Sequence, residues 1–305
     1  MAFTAPKHFT SINNALESLF GEGTKISQTD RVFGGDINDA YKLTLTNNAR
    51  IFMKTNLIKN AAFFQAEALG LQAIAQTNCI GTPRILGIGT QAGADVYSFL
   101  LLEWIEECRP VSDYWELFAG QLAGMHQAPT NDFVPRGTYG FLQDNFIGAG
   151  KQCNAARDSW ISFFRDCRLE PQLRSADRYF DTADRKRILK LLDRLGDFLT
   201  EPDRPSLLHG DLWSGNFMTG SDGRAWLIDP AAYVGHAEAD LAMTELFGGF
   251  SHAFYTAYKE VFPLQPGYKD RRDLYNLYHL LNHLNLFGGS YLAGVLRTVR
   301  KYAAR

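Results

Sequence analysis

The chain has 305 residues, 46% of them hydrophobic and 21% charged, enough to bury a sizeable core in one large domain or two lobes. A formal net charge of −2 leaves no basic surplus for nucleic acid, and Arg185-Lys186-Arg187, set between Asp184 and Asp193, reads as a solvated helix face. Residues 1–10 lack a sustained apolar core and the longest apolar run, 96–105, contains Ser98 and Glu103, so neither a secretory leader nor a membrane span is expected and the chain is placed in the cytoplasm. Four cysteines (Cys79, Cys108, Cys153, Cys167) form no C-x-x-C pair and indicate neither zinc nor a disulfide framework.

In chain order, apolar residues at helical spacing (Phe9, Ile12, Leu16, Leu19) predict an opening helix over 9–19. Strand-like segments follow at 25–33 and 40–45, separated by Gly34-Gly35-Asp36-Ile37-Asn38-Asp39, and a third at 50–54 follows the Asn47-Asn48 turn. An amphipathic helix is predicted over 63–75, then β segments at 85–89 and 96–105. From Asp113 the pattern turns helical, over 115–126, 160–173, 188–199, 241–247, 253–261 and 274–286. The expected fold is therefore α+β and bilobal: a small β-rich N-lobe with one main helix, residues 1–104, and a larger, mostly helical C-lobe, residues 105–305.

The chemistry concentrates in His209-Gly210-Asp211-Leu212-Trp213-Ser214-Gly215-Asn216, followed by Leu227-Ile228-Asp229-Pro230. The order H-x-D-x-x-x-x-N then D matches the catalytic and metal loops of protein-kinase-like enzymes. Phosphoryl transfer needs one carboxylate to take or orient the proton of the attacking hydroxyl, which assigns Asp211 as catalytic base. It also needs hard oxygen donors for Mg²⁺, which assigns Asn216 and Asp229. The plainer reading is a turn whose Asp and Asn cap backbone groups. Pro230-Ala231 stands where protein kinases carry Phe-Gly, which favours a small-molecule acceptor.

Lys54, at a strand end, takes the place of the lysine that neutralises the nucleotide's phosphates, and Glu67, thirteen residues on, is its expected ion-pair partner. Gly34 and Gly35 lie where a phosphate-covering hairpin belongs, though a bare Gly-Gly is also simply a turn and Asp36 would have to face solvent. Glu103, Trp104 and Ile105 fall in the segment joining the lobes, where backbone groups would read the adenine edge; a plain buried strand fits the same composition. ATP and Mg²⁺ are thus the expected nucleotide and metal. His279 and His283 have zinc-ligand spacing without the HExxH glutamate, and packing or a cleft wall suits them better. Asp240 is a candidate acceptor for catalytic-loop N–H groups, and Glu238 is equally a surface charge.

Beyond these loops, the chain resembles the fructosamine kinase (ketosamine-3-kinase) family of the kinase-like and aminoglycoside-phosphotransferase-like superfamily. The resemblance rests on Tyr139-Gly140-Phe141, Asp144-Asn145-Phe146-Ile147-Gly148, Trp160 with Phe163-Phe164, Asp211-Leu212-Trp213-Ser214-Gly215-Asn216, the run from Asp240 to Phe250, and Tyr278 to Gly289. It implies ATP-dependent phosphorylation of the C3 hydroxyl of free or protein-bound ketosamines, leading to deglycation, with Asp211 as base and Asn216 and Asp229 as metal ligands. Trp213 is a candidate for stacking on the substrate, or for packing, and His283 for the substrate cleft. Relatives' redox-active glycine-loop Cys is replaced here by Asp36, so no thiol switch is expected there, and Ala237 replaces a frequent Arg. Aminoglycoside or choline-like acceptors, or a pseudokinase scaffold, are the alternatives. No nucleic-acid or membrane partner is expected, and the chain is expected to be a monomer or weak dimer.

Overall fold

A computed structural model describes residues 5–33, 37–93 and 96–304. The chain opens with β1 (His8–Phe9) and α1 (Ile12–Phe20), whose first turn is capped by the Ser11 hydroxyl accepting from Asn14 N. Then come β2 (Ile26–Val32), β3 (Asp39–Leu45), β4 (Arg50–Asn56), α2 (Ala61–Gln76), β5 (Ile85–Gln91) and β6 (Tyr97–Glu103). The six strands form one sheet in the order β1-β5-β6-β4-β3-β2, antiparallel except for the β1–β5 edge. Asn47-Asn48 does make the β3–β4 turn, with Asn48 at φ +65° and Ala49 N donating to Asn47 Oδ1.

Strand alternation divides this sheet between two helices. Ile51 and Met53 of β4 join Leu43, Leu45, Phe99 and Leu101 against Ile12, Ala15 and Leu16 of α1. Phe52 points the other way and packs with Leu100 and Leu102 against Phe64, Ala68 and Leu71 of α2. Lys54 is two residues beyond Phe52, so the same period turns it toward α2. That alternation carries the site lysine to Glu67.

The helical lobe contains α3 (Tyr114–Gln127), the hairpin β7 (Asn145–Ile147) and β8 (Gly150–Gln152), α4 (Trp160–Phe163), α5 (Glu170–Ser175), α6 (Thr182–Asp193) and α7 (Leu195–Phe198). After them come β9 (Ser206–Leu208), β10 (Phe217–Thr219), β11 (Ala225–Leu227), β12 (Tyr233–Gly235), α8 (Glu238–Leu246), α9 (His252–Val261), α10 (Tyr268–Phe287) and α11 (Leu292–Ala303). The helix expected over 160–173 is interrupted: residues Phe164–Leu169 between α4 and α5 form a π-helical turn. That segment carries Arg168, fully buried, with its guanidinium 3.9 Å from the Tyr233 ring centroid and hydrogen-bonded to Cys153 O and Asn154 Oδ1. The helix expected over 188–199 starts earlier, at Asp181, whose carboxylate caps Asp184 N at 2.7 Å, and it breaks at Arg194. On its face Arg185 pairs with Asp177 and Arg187 with Asp184.

The lobes meet at several places among the described residues. Phe63 of α2 lies 4.2 Å from Phe146 of β7, ring to ring. A side chain at Gly70 of α2 would touch Pro230 at 3.0 Å, so α2 rests directly on the segment after Asp229. Gly81 O accepts from Leu227 N of β11. Below them, Phe118 of α3 is fully buried among Trp115, Phe217, Phe250 and Phe254, tying α3 to β10 and α9. Phe118→Ala is expected to lower unfolding free energy by about 3–5 kcal/mol, read as a shift of the urea midpoint at unchanged slope.

Candidate active site

The His209–Asn216 run between β9 and β10 is held by its own backbone. His209 N and Gly210 N donate to the two oxygens of Asp240 at 2.7 and 2.9 Å. Asp240 lies in the first turn of α8 and is 1% exposed. Behind it, His126 Nε2 donates to Oδ2 at 3.2 Å, while Tyr258 OH donates to His126 Nδ1 at 2.6 Å. Burial alone would raise the Asp240 carboxyl, but the hydrogen bond and charge of His126, with His209 and the Gly210 N–H, bring it below its ordinary value. Asp240 therefore holds its negative charge more firmly than an ordinary carboxyl does. Glu238, left open as a surface charge, is instead buried and bidentate to Arg271 at 2.6 and 2.8 Å.

His209 joins the two motif loops. Asp211 N donates to its Nδ1 at 3.3 Å, so Nε2 carries the proton and donates to Ile228 O at 2.8 Å. Burial, partly offset by Asp240, pulls its pKa below the ordinary value and keeps the ring neutral. Gly210 has φ +81°, and a Cβ there would meet Ala231 O at 2.2 Å, so only glycine fits between the two loops. Asp229 itself sits at φ +54°, a left-handed conformation uncommon outside glycine, asparagine and aspartate.

Asp211 faces the cleft with its side chain 21% exposed. Asn216 Nδ2 donates both to Asp211 O at 2.8 Å and to Oδ2 at 3.1 Å, which fixes the carboxylate and leaves Asn216 Oδ1 to be offered elsewhere. Lys54 Nζ, buried, lies 2.7 Å from Glu67 Oε1 and in a close ion pair with Asp229 Oδ1. Burial alone would discharge the ammonium, but Asp229 and Glu67 more than offset it and hold its pKa above the ordinary value. One buried cation thus links β4, α2 and the loop after β11. The donor set is of the kind that suits a hard divalent cation: Asn216 carries an amide oxygen and Asp229 a carboxylate.

The remaining expected residues are distributed as follows. Gly34 and Gly35, with Asp36, lie outside the described residues. Glu103 ends β6 and accepts from Arg84 N at 2.7 Å, while Trp104 Nε1 donates to Glu106 and its ring is covered by Lys42 Nζ at 4.7 Å. Ile105 follows them, half-buried, in the connection to α3. Trp213 is 38% exposed and folds back over Gly215, where a Cβ would meet its ring at 2.4 Å.

The histidine pair on α10 divides its work in a way that its spacing does not reveal. His279, not His283, is beside Asp211, with Nδ1 3.9 Å from Oδ1 and no hydrogen-bond partner for that nitrogen among the described residues. Burial, with His283 adding to it, pushes its pKa down to about 3, so it stays neutral. His283 is one turn farther, donating from Nδ1 to His279 O and ringed by Phe247, Phe287 and Tyr291 at 5.0–5.4 Å. Helical register puts His279 on the same face, but only the packing of α10 against α8 shows which of the two reaches Asp211.

Burial, reinforced by Asp229 and Asp240, pushes the Asp211 carboxyl up to about 7 even though Asn216 opposes it. The folded protein therefore holds this proton more tightly than the unfolded chain does. The stability it contributes is full below the ordinary carboxyl range and is lost as pH rises through about 7. Asp211→Asn has no such loss. Without Mg²⁺ and nucleotide, it is expected to be about 2–4 kcal/mol more stable than the parent at pH 8, with the gap closing by about pH 4. Thermal unfolding at the two pH values checks this, and a gap independent of pH would contradict it.

Comparison with known proteins adds the family context. The fructosamine kinase family model matches residues 8–305. A probable ketoamine kinase of Synechocystis sp. is 41% identical over 293 residues, 95% of this chain and 95% of that protein. The chloroplastic protein-ribulosamine 3-kinase of Oryza sativa subsp. indica is 40% identical over 286 residues, 92% of this chain and 80% of the rice protein. Among solved structures, that of a candidate fructosamine-3-kinase from Haemophilus somnus 129PT superposes with a TM-score of 0.84 at 30% identity, covering 96% of each chain. No helix among the described residues is long and apolar enough to cross a membrane.

Proposed function

We propose that this chain, which belongs to the fructosamine kinase family and is a kinase acting on hydroxyl groups of ketosamines, transfers the γ-phosphoryl group of ATP to the C3 hydroxyl. The observation that carries the reading is the Asp211 carboxylate, pinned by Asn216 at the cleft, with a buried lysine paired to Glu67 and Asp229 on the adjoining loop. Asp211 orients the attacking hydroxyl and receives its proton; a carboxyl titrating near 7 is well matched to that transfer. Lys54, aimed by Glu67, meets the phosphate oxygens of the nucleotide. Asn216 and Asp229 hold Mg²⁺, which when bound neutralises charge on the phosphates. Gly34 and Gly35 cover the phosphates, and the backbone of Glu103, Trp104 and Ile105 reads the adenine, at the join of an N-lobe of residues 1–104 and a C-lobe of residues 105–305.

For the acceptor, the exposed face of Trp213 suits stacking on the sugar or its amine substituent. The rings of Phe247, Phe287 and Tyr291 around His283 offer π faces to a cationic amine. A phosphate on the carbon next to the ketosamine carbonyl is a leaving group, so the product sheds its sugar and the amine is deglycated. Similarity to the rice protein-ribulosamine 3-kinase supports a ribulosamine-type acceptor.

The test is an ADP-release assay over ribulosyl-lysine and fructosyl-lysine, with the phosphate position of the product mapped by NMR. Phosphorylation at O3 is expected, and Asp211→Asn is expected to lower kcat by about 10²–10⁴. A folded protein that binds Mg-ATP yet phosphorylates no ketosamine, or does so at another oxygen, would refute the reading.

A further inference from the structure

The two cysteines that the chain separates by fourteen positions meet in the fold: Cys153 Sγ lies 3.5 Å from Cys167 Sγ. Cys153 directly follows β8 and is half-buried, whereas Cys167 is 2% exposed and sits in the π-helical turn, its thiol donating weakly to Ala155 O. No C-x-x-C motif announces this pair. The sulfurs are in van der Waals contact, and a disulfide needs them to close to about 2 Å.

Around the pair runs one polar network that ends at the loop after Asp229. Arg168, next to Cys167, donates to Cys153 O and to Asn154 Oδ1. Asn154 Nδ2 donates to Asn145 Oδ1, and Gln152 Nε2 donates to Asn145 Oδ1 and to Ala231 O. Asn145 Nδ2 in turn donates to Ala232 O. Ala231 N donates to His209 O, so the same loop touches the backbone of the catalytic run. Cys153 therefore stands between Gln152, which holds Ala231 O directly, and Asn154, which supports the Asn145 amide that holds Ala232 O.

We propose that Cys153 and Cys167 form a reversible disulfide, and that its closure displaces the Gln152 and Asn154 amides and so shifts the loop carrying Asp229. With a peroxide as oxidant, the half-buried Cys153 thiolate attacks oxygen, giving a sulfenic acid and releasing hydroxide. The Cys167 sulfur then displaces the sulfenic oxygen and its proton leaves with that oxygen as water. In sum two thiols lose two protons and two electrons, and one peroxide becomes two waters. Burial pushes the Cys167 thiol up to about 12, so it is protonated until it reacts and the second step is slow. The pair is thus a sensor of sustained oxidation rather than a peroxidase.

The test uses the full chain carrying Cys79→Ser and Cys108→Ser, which removes the other two thiols. After hydrogen peroxide treatment and alkylation, the peptide map is expected to show Cys153 linked to Cys167. The intact mass should fall by two hydrogens, and dithiothreitol should reverse both. ATP turnover is expected to fall severalfold on oxidation and to recover with dithiothreitol, whereas Cys153→Ser keeps its rate under the same treatment. Sulfinic acid or unmodified thiols at both positions would overturn the site. A Cys153–Cys167 link that leaves turnover unchanged would overturn the coupling to the metal loop. The peptide map decides the first point whichever acceptor the enzyme uses.

Discussion

The site depends on one buried anion. Asp240 is fully enclosed, yet both of its oxygens are saturated by the His209 and Gly210 N–H groups and by His126. A buried carboxylate is tolerable only when so paired, and here the partners come from two segments, the catalytic run and α3. The result is that α3, α8 and the catalytic run share a fixed frame, with Tyr258 of α9 extending it through His126. Asp211 projects from that frame, two residues beyond the histidine whose other nitrogen grips Ile228 O. The run from His209 and the segment after β11 are therefore positioned largely through their backbone groups, while Asp211 is held by Asn216 and Asp229 is paired with Lys54.

A second constraint acts from the other lobe. The period of a β-strand sends Phe52 and Lys54 to one face and Ile51 and Met53 to the other, so α2 receives both an apolar seam and a cation. Glu67 answers the cation, and Gly70, one turn along, lets α2 settle on Pro230. Lys54 also reaches Asp229, so the buried lysine of one lobe and a carboxylate of the other are mutually neutralised. Mg²⁺ and nucleotide would meet these groups already aligned, at the cost of replacing one ion pair with stronger charge partners. Pro230 occupies the place of the protein-kinase Phe, and its contact with α2 is one with which the small lobe rests on the large one.

Much of this was legible in the chain. Fixed spacing within His209–Asn216 and the following Asp229 points to phosphoryl transfer because the chemistry needs those side chains on one short loop. Alternation in 50–54 identifies β4 and the facing helix, and the second-half signature identifies the family. The Asn47-Asn48 turn follows from local chemistry alone. What local pattern misjudged are places where tertiary contacts override it. The π-helical turn at Phe164–Leu169 accompanies a buried Arg168 whose partners come from Cys153, Asn154 and Tyr233. Glu238 reads as a surface charge until Arg271, thirty-three residues away, is packed against it.

The sequence by itself determined which groups are candidates for the chemistry, since catalytic loops are short and their spacing survives as a string. Only the tertiary structure decided which of two equivalent histidines reaches Asp211, and that Asp211 is buried enough to titrate near 7. It also decided that two distant cysteines touch. Helical register makes His279 and His283 neighbours, but distance to another segment depends on how whole elements pack. Desolvation and through-space charge likewise depend on what surrounds a group, and no local pattern carries that information.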